Sequence, residues 1–255
     1  MSEKIDYTQK NPAEVSMENE KKELDLPRDL VGFDCKAKYS DKSYQEYIDN
    51  FKPNTKNKYF YRFFKRLFDF LFSLVFLITL SPVMILISIA ILFDSIFHKD
   101  SRGSIMFKQK RMGKNGKVFN CIKFRTMKKT CPHECATLLI NDVNKQVTRV
   151  GKFLRKFSLD EIPQLFCTLI GTMSIVGPRP VVLTEEKLTA MRTKLGVYSV
   201  RPGITGYAQI NGRDDVYYKN KAIMDAEYVK KASFIGDLKI IFSTVKVVFS
   251  RKGVI

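Results

Sequence analysis

The chain has no tryptophan, no apolar segment within its first 55 residues, and only one long apolar run. Because a secretory signal needs an apolar stretch near the N-terminus, we expect no cleavable signal peptide. The cysteines number five, an odd count with irregular spacing, which predicts reduced thiols and not a disulfide framework. No internal repeat stands out, so repeat architectures are not expected.

Acidic side chains are also scarce. There are 26 of them against 44 Lys and Arg, which gives a net charge of +18. Such an excess predicts an anionic partner: nucleic acid, an anionic membrane surface or a phosphorylated ligand. The basic residues are interleaved with Pro-Gly turns and are not gathered on one helix or aromatic sheet, so nucleic acid is not the expected partner. Membrane lipid and phosphorylated ligands remain.

The single apolar run covers residues 70–93 and contains Pro82 in its middle. At a rise of about 1.5 Å per residue it would reach ~36 Å, enough to cross a bilayer. Pro82 predicts a bend, and the Ser81 hydroxyl could satisfy a carbonyl freed by it. Basic residues flank both ends, which favours the cytoplasmic side for both. A re-entrant helix over 59–97 fits this pattern, and a kinked crossing helix is the alternative.

Composition divides the chain into three parts. Residues 1–55 are a polar extension, expected to be largely disordered, although Tyr, Ile and Phe at helical spacing near its end predict a short amphipathic helix on the membrane or on the domain. Residues 59–97 form the membrane element. Residues 98–255 are long enough for one cytosolic domain with its own core.

The domain is expected to be a mostly helical α/β domain of the α+β kind. A β-hairpin is predicted from residues 105–109 and 118–124 around the turn at 113–116. Helices are predicted at 148–172, 221–231 and 237–250, and ordered Gly/Pro-rich loops at 174–182 and 197–212. The last helix has one apolar stripe, which is compatible with packing on the core or with lying in a headgroup layer.

The strongest chemical signal is the segment 158–165, SLDEIPQL. Ser158 followed by Glu161 matches a capping box, which places Asp160 near a helix N-terminus, although Pro163 makes the true start uncertain. Adjacent carboxylates do not face each other on a helix, so separate tasks are expected, such as attack on phosphorus and metal binding. A capped helix with solvated charges is the alternative. The nearby cations are Arg149, Lys152, Arg155 and Lys156.

Several rigid turns each present an arginine. Arg179, Arg201 and Arg213 lie beside Gly or Pro, and Lys123 and Arg125 end the predicted hairpin. Arginine forks suit bidentate contact with phosphate oxygens, and the neighbouring Gly and Pro fix their direction. We therefore predict a diphosphate site formed by these turns.

Taken together, these stretches resemble the bacterial sugar transferase family, the monotopic polyprenyl-phosphate phosphoglycosyl transferases. The resemblance runs from about residue 61 to 254. The stretches that carry it are KRLFD at 65–69, Ser81-Pro82, KFRTM at 123–127, SLDEIPQL at 158–165, MSIVGPRP at 173–180 and RPGITGYAQINGR at 201–213.

The resemblance implies a two-step exchange at the cytoplasmic face of the cytoplasmic membrane of a bacterium. Asp160 would attack the sugar-bearing phosphate of a UDP-sugar and release UMP, and Glu161 would assist with Mg²⁺. A polyprenyl phosphate, typically undecaprenyl phosphate, would then accept the phosphosugar and prime exopolysaccharide, capsule or glycoprotein glycan assembly. The resemblance also implies a re-entrant helix broken at Ser81-Pro82.

Substrate binding is predicted for Lys123, Arg125, Arg155, Gln164, Arg179, Arg201 and Arg213. The chain has Cys167, Thr172 and Tyr207 where the family often has Asn, Asp and Trp, which puts the fine geometry of the site in question. The identity of the sugar and the oligomeric state are not predicted. A non-catalytic lipid-phosphate binding protein with no requirement for Asp160 is the competing hypothesis.

Overall fold

A computed structural model describes residues 41–52, 58–131, 143–211 and 218–250 of the 255. The predictions for residues 1–40 and for Arg213 lie outside the described residues. The helices are α1 Asp41–Asn50, α2 Tyr59–Thr79, α3 Ser81–Phe97, α4 Val143–Gln146, α5 Arg149–Lys156, α6 Gln164–Ile170, α7 Glu186–Lys194, α8 Tyr207–Ile210, α9 Tyr218–Lys231 and α10 Phe234–Ser250. The strands are β1 Met106–Met112, β2 Val118–Phe124, β3 Ser174–Val176 and β4 Gly203–Thr205.

Two small sheets accompany the helices. Strands β1 and β2 form an antiparallel hairpin in which Met106 pairs with Phe124 and Met112 with Val118. Its tight turn contains Asn115 and Gly116, both at positive φ, which confirms the predicted turn. Strands β3 and β4 pair in parallel, so the two segments predicted as Gly/Pro-rich loops also carry a short sheet. The α+β prediction with a hairpin is confirmed for the described part of the chain.

The main core lies where α2, α6, α9 and α10 meet the parallel strands. Its buried members include Leu165, Val176, Tyr207, Met224 and Ile240. Helix α10 contributes Ile240, which lies outside the predicted stripe, and Ile241 of the stripe to this core, although Phe242 of the stripe remains 72% exposed. The last helix therefore packs on the core with part of its surface, as one of the two predictions had it.

Helix α1 packs on the domain. Tyr47, Ile48 and Phe51 lie against a second cluster that includes Leu188 and Ala226. The Tyr47 hydroxyl also donates a hydrogen bond of 2.8 Å to Glu227 on α9. The amphipathic spacing thus correctly predicted a helix, and the tertiary structure places it on the domain.

Helices α2 and α3 are bent by 59° where they meet. The break falls at Leu80. Pro82 occupies the first turn of α3, where backbone N–H groups have no acceptor within the helix, so the missing N–H of proline costs no helical hydrogen bond. The Ser81 hydroxyl donates to the Ile78 carbonyl at 2.8 Å, as the sequence predicted. In the described part of the chain no single helix has the length and hydropathy to cross a membrane; this bent pair has them jointly.

The prediction of one continuous helix over 148–172 is wrong. The structure has α5, then a 3₁₀ turn at Leu159–Glu161, and then α6. Ser158 has φ 56° and its side chain does not cap a helix, so the predicted capping box is also wrong. The left-handed conformation of Ser158 turns the chain. Pro163 stands directly before α6, where the lack of a backbone N–H removes no helical hydrogen bond.

Candidate active site

The two carboxylates of the SLDEIPQL segment lie in the 3₁₀ turn between α5 and α6. The turn packs against α5 and β2, so its position is fixed from both sides. Asp160 is 8% exposed and Glu161 is half-buried. Side chains of adjacent residues in such a turn point in different directions, which gives the two carboxylates different surroundings.

Glu161 is held by two cations from distant segments. Its Oε1 accepts a hydrogen bond of 3.0 Å from Lys123 on β2 and one of 3.2 Å from Arg179. Burial alone would raise the pKa of Glu161, but the charges of Lys123 and Arg179 outweigh it and hold this pKa well below its usual range. Glu161 is therefore an ionised group that fixes two cations in place.

Asp160 has a different electrostatic setting. Burial raises its pKa, and the charge of Glu161 acts in the same direction. The charges of Lys123, Arg155 and Arg179 offset part of this shift. A buried carboxylate with few hydrogen-bond donors keeps its lone pairs available, and the surrounding cations can receive an incoming phosphate.

Arg179 is fixed by two turns that approach closely. The Gly177 amide donates to the Thr205 carbonyl and the Gly203 amide to the Pro178 carbonyl, each at 2.9 Å. A Cβ added at Gly203 would lie 2.1 Å from the Gly177 nitrogen, so only glycine permits this contact. The predicted rigid Gly/Pro turn around Arg179 is confirmed as a structural feature.

Sequence reasoning missed two arginines that support this turn. Arg111 on β1 donates to the Pro180 carbonyl, and its charge contributes to lowering the pKa of Glu161. Arg192 on α7 is 2% exposed, donates to the Arg179 carbonyl at 2.7 Å and pairs with buried Asp225 on α9. Arg111 shares its strand with Lys108 and Lys110, so no local signal separated it from its basic neighbours, and nothing local marked Arg192.

The remaining predicted residues are placed as follows. Arg155 donates to the Thr126 hydroxyl at 3.0 Å and is close enough to lower the pKa of Asp160. Gln164 is 2% exposed at the start of α6. Arg125 donates to Ser95 on α3 at 2.7 Å, and Arg201 donates to the Gly171 carbonyl at 2.7 Å, so neither contacts the carboxylates.

The donor set at the carboxylates limits how a metal ion could bind. Across the described ranges, no three His, Cys, Asp or Glu side chains lie together in a way that could hold a metal. Asp160 and Glu161 supply two carboxylates, and one Glu161 oxygen already accepts from two cations. Mg²⁺ is commonly held by one or two carboxylates together with substrate phosphates and water, so the pair fits Mg²⁺ only with substrate present.

Comparison with known proteins supplies an independent line of evidence. The family model described as bacterial sugar transferase matches residues 60–251. The chain is 38% identical over 188 residues to an undecaprenyl-phosphate galactose phosphotransferase of Salmonella typhimurium, covering 67% of this chain and 39% of that protein. It is 39% identical over 193 residues to an undecaprenyl-phosphate glucose phosphotransferase of Komagataeibacter xylinus, covering 69% of this chain and 34% of that protein.

A shorter relative is matched over most of its length. The chain is 40% identical over 191 residues to the exopolysaccharide production protein ExoY of Sinorhizobium fredii, covering 69% of this chain and 81% of that protein. The chain thus spans between a third and two fifths of the two larger relatives and about four fifths of ExoY. The matched region contains the turn with Asp160 and Glu161 and the cations around it.

Proposed function

This chain belongs to the bacterial sugar transferase family, and from that membership we propose that it transfers a sugar 1-phosphate from a UDP-sugar to a polyprenyl phosphate. The observation that carries the proposal is the contrast between two adjacent carboxylates: Glu161 is held by two cations, and Asp160 is buried beside the same cations. The relatives from Salmonella typhimurium and Komagataeibacter xylinus are undecaprenyl-phosphate sugar phosphotransferases, which supports this lipid class as acceptor.

In the proposed first step, an Asp160 oxygen attacks the phosphorus that carries the sugar. The bond from that phosphorus to the UMP oxygen breaks, and its electron pair leaves with UMP. In the second step an oxygen of the polyprenyl phosphate attacks the same phosphorus. The Asp160–phosphorus bond breaks, so the carboxylate is regenerated and the lipid diphosphate sugar leaves.

Lys123 and Arg179 have the place and charge to bind phosphate oxygens while Glu161 holds them. Their charge stabilises the negative charge that develops at phosphorus, which is a main source of catalysis in phosphoryl transfer. Arg155 adds a third cation near Asp160. Mg²⁺, held by Asp160 and Glu161 together with the substrate, would supply further charge neutralisation for the two phosphates.

The test of this function is an assay of UMP release from a panel of UDP-sugars, with a short polyprenyl phosphate and Mg²⁺. We expect UMP release with at least one UDP-hexose or UDP-N-acetylhexosamine, together with a lipid-linked sugar diphosphate. If a thermal unfolding transition shows that the chain is folded and no UDP-sugar of the panel yields UMP, the proposal is contradicted.

The pH dependence should reflect the surroundings of Asp160. Because only the ionised carboxylate attacks, and because burial raises its pKa, activity should fall with decreasing pH above the ordinary aspartate value of about 4. Lys123→Met removes a charge that lowers this pKa, so the acid limb should move to higher pH. The pH profile of UMP release measures both; an unmoved limb in Lys123→Met would contradict the assignment.

We further propose that α2 and α3 form a re-entrant membrane element, with the domain on the cytoplasmic face. Both ends of the pair attach to the same domain, which supports this topology. Near the start of α2, Lys65 pairs with Asp237 at 2.8 Å. In α3, Ile91 packs with Phe124 and Leu154. Many apolar side chains on the outer faces of both helices are exposed, which suits contact with lipid.

Cysteine labelling tests this topology. Lys52→Cys and Lys99→Cys lie at exposed positions before α2 and after α3. We expect both thiols to react with a membrane-impermeant maleimide in inverted vesicles and neither to react in intact cells. The unsubstituted chain provides the blank for its native cysteines. Labelling of one position from each side would instead indicate a helix pair that crosses the membrane.

A further inference from the structure

Two arginines cap the C-terminal end of α6, on a part of the domain that the proposed chemistry does not use. Arg66 on α2 donates to the carbonyls of Thr168 and Leu169, each at 2.7 Å. Arg201 donates through Nε to the Gly171 carbonyl at 2.7 Å. Each guanidinium has further N–H groups that these contacts leave over.

Two more cations lie within electrostatic range of this capped end. Arg62 is one turn before Arg66 on α2, and Lys114 lies in the turn of the β1–β2 hairpin. Burial lowers the pKa of Lys114, and the charges of Arg201 and Arg62 lower it further. Burial also lowers the pKa of Arg201, and Arg66 adds to that shift. We call these four residues the cationic cluster.

The charge of the cationic cluster is poorly compensated. The charge of Asp69 raises the pKa of Arg201 and so offsets part of this lowering. In the part of the chain that the structure describes, the side chains of Arg62 and Lys114 form no hydrogen bond or ion pair. No member of the cluster contacts Asp160 or Glu161. Four mutually repelling cations with spare donors are the arrangement that an anion stabilises.

Exposed apolar side chains adjoin the cluster and distinguish the kind of anion. Ile170, at the capped end of α6, is 71% exposed, and Phe63, next to Arg62, is 57% exposed. A soluble anion gains nothing from these side chains. A lipid supplies both a phosphate for the cations and acyl chains for the apolar residues, which is the combination found at the headgroup level of a membrane.

We propose that the cationic cluster binds the phosphodiester of an anionic phospholipid headgroup. The proposal rests on the membrane position proposed for α2 and α3. In this proposal the charges of Arg62 and Lys114 bind the headgroup phosphate. Arg66 and Arg201 bind the same phosphate with their remaining N–H groups while they also cap the end of α6. Since α6 begins three residues after Glu161, lipid binding would fix the depth of the catalytic turn at the membrane surface.

The experiment measures thermal unfolding of the full chain in an uncharged detergent, titrated with short-chain phosphatidylglycerol, short-chain phosphatidylcholine or inorganic phosphate. A ligand that binds the folded state raises Tm in proportion to its affinity. We expect phosphatidylglycerol to raise Tm and the other two probes to leave it nearly unchanged. Arg62→Gln with Lys114→Gln should weaken the phosphatidylglycerol effect about 30-fold in apparent Kd.

The matched control is Lys187→Gln with Lys194→Gln, which removes the same charge from exposed positions on α7 and should keep the full effect. An equal response to phosphatidylcholine, a full response to inorganic phosphate, or an unchanged response in the cluster variant would each overturn the proposal. A raised KM for polyprenyl phosphate with an unchanged phosphatidylglycerol effect would reassign the cluster to the substrate. Failure of UMP release would leave this binding result intact, so the two proposals fail separately.

Discussion

Replacing Asp160 by asparagine is expected to lower UMP release by about 10⁴-fold or more, a loss typical of removing the nucleophile from a covalent mechanism. The amide has nearly the same shape, but it cannot form the bond to phosphorus. Its surroundings should remain folded, because Asp160 forms none of the ion pairs that hold Glu161 to Lys123 and Arg179. The rate loss should therefore come without a large fall in Tm.

A covalent adduct provides the direct evidence. Unsubstituted chain, mixed with a UDP-sugar in the absence of acceptor lipid and quenched in acid, should carry the mass of a sugar phosphate on the peptide that contains Asp160. Asp160→Asn should carry none. Asp100→Asn, at an exposed carboxylate, is the matched control and should keep both activity and adduct. Unchanged turnover in Asp160→Asn would contradict the assignment of Asp160 as the nucleophile, whereas no turnover in either protein would favour a non-catalytic lipid-phosphate binding protein.

Replacing Arg192 by methionine should lower the free energy of unfolding by about 3–5 kcal/mol. The side chains of Arg192 and Asp225 are 3% and 1% exposed, so the variant leaves a buried carboxylate without its counter-charge. Burial already raises the pKa of Asp225, and Arg192 opposes that shift. Removing the arginine also frees the Arg179 carbonyl, which should loosen the turn that positions Arg179.

Two further variants separate charge from packing. Arg192→Met combined with Asp225→Leu removes both charges and should recover most of the lost stability, since well-packed apolar pairs can replace a buried ion pair. Lys187→Met, exposed on the same helix, should change stability by no more than about 0.5 kcal/mol. Denaturant unfolding of the four proteins measures this; an Arg192→Met loss as small as that of Lys187→Met would contradict the structural role.

Patterns that depend on neighbouring residues were predicted well. The hairpin, the helix at the end of the polar extension, and α9 and α10 all follow from turn residues and apolar spacing. The bend between α2 and α3 and the Ser81 contact follow from one proline. Where two local signals competed, in the segment 158–165, the prediction was wrong: proline and a left-handed Ser158 prevailed over the capping box.

The site itself shows the limit of such reasoning. Glu161 meets Lys123 and Arg179, which are 38 and 18 residues away, and only the packing of the hairpin and the Gly177–Gly203 contact brings them together. Arginines in similar sequence settings have different partners in the structure, because some of them donate hydrogen bonds to backbone carbonyls. Arg201 looks like Arg179 in sequence, yet it caps α6.

The sequence by itself determined the kind of protein: one apolar broken segment, a basic domain, and two adjacent carboxylates within a family-specific motif. These features depend on composition and short-range order, which the sequence contains directly. The tertiary structure decided which cations contact the carboxylates and which donate to backbone carbonyls and stabilise the fold. That choice depends on distances of a few ångströms between remote segments, over which Coulomb energies and hydrogen bonds change steeply.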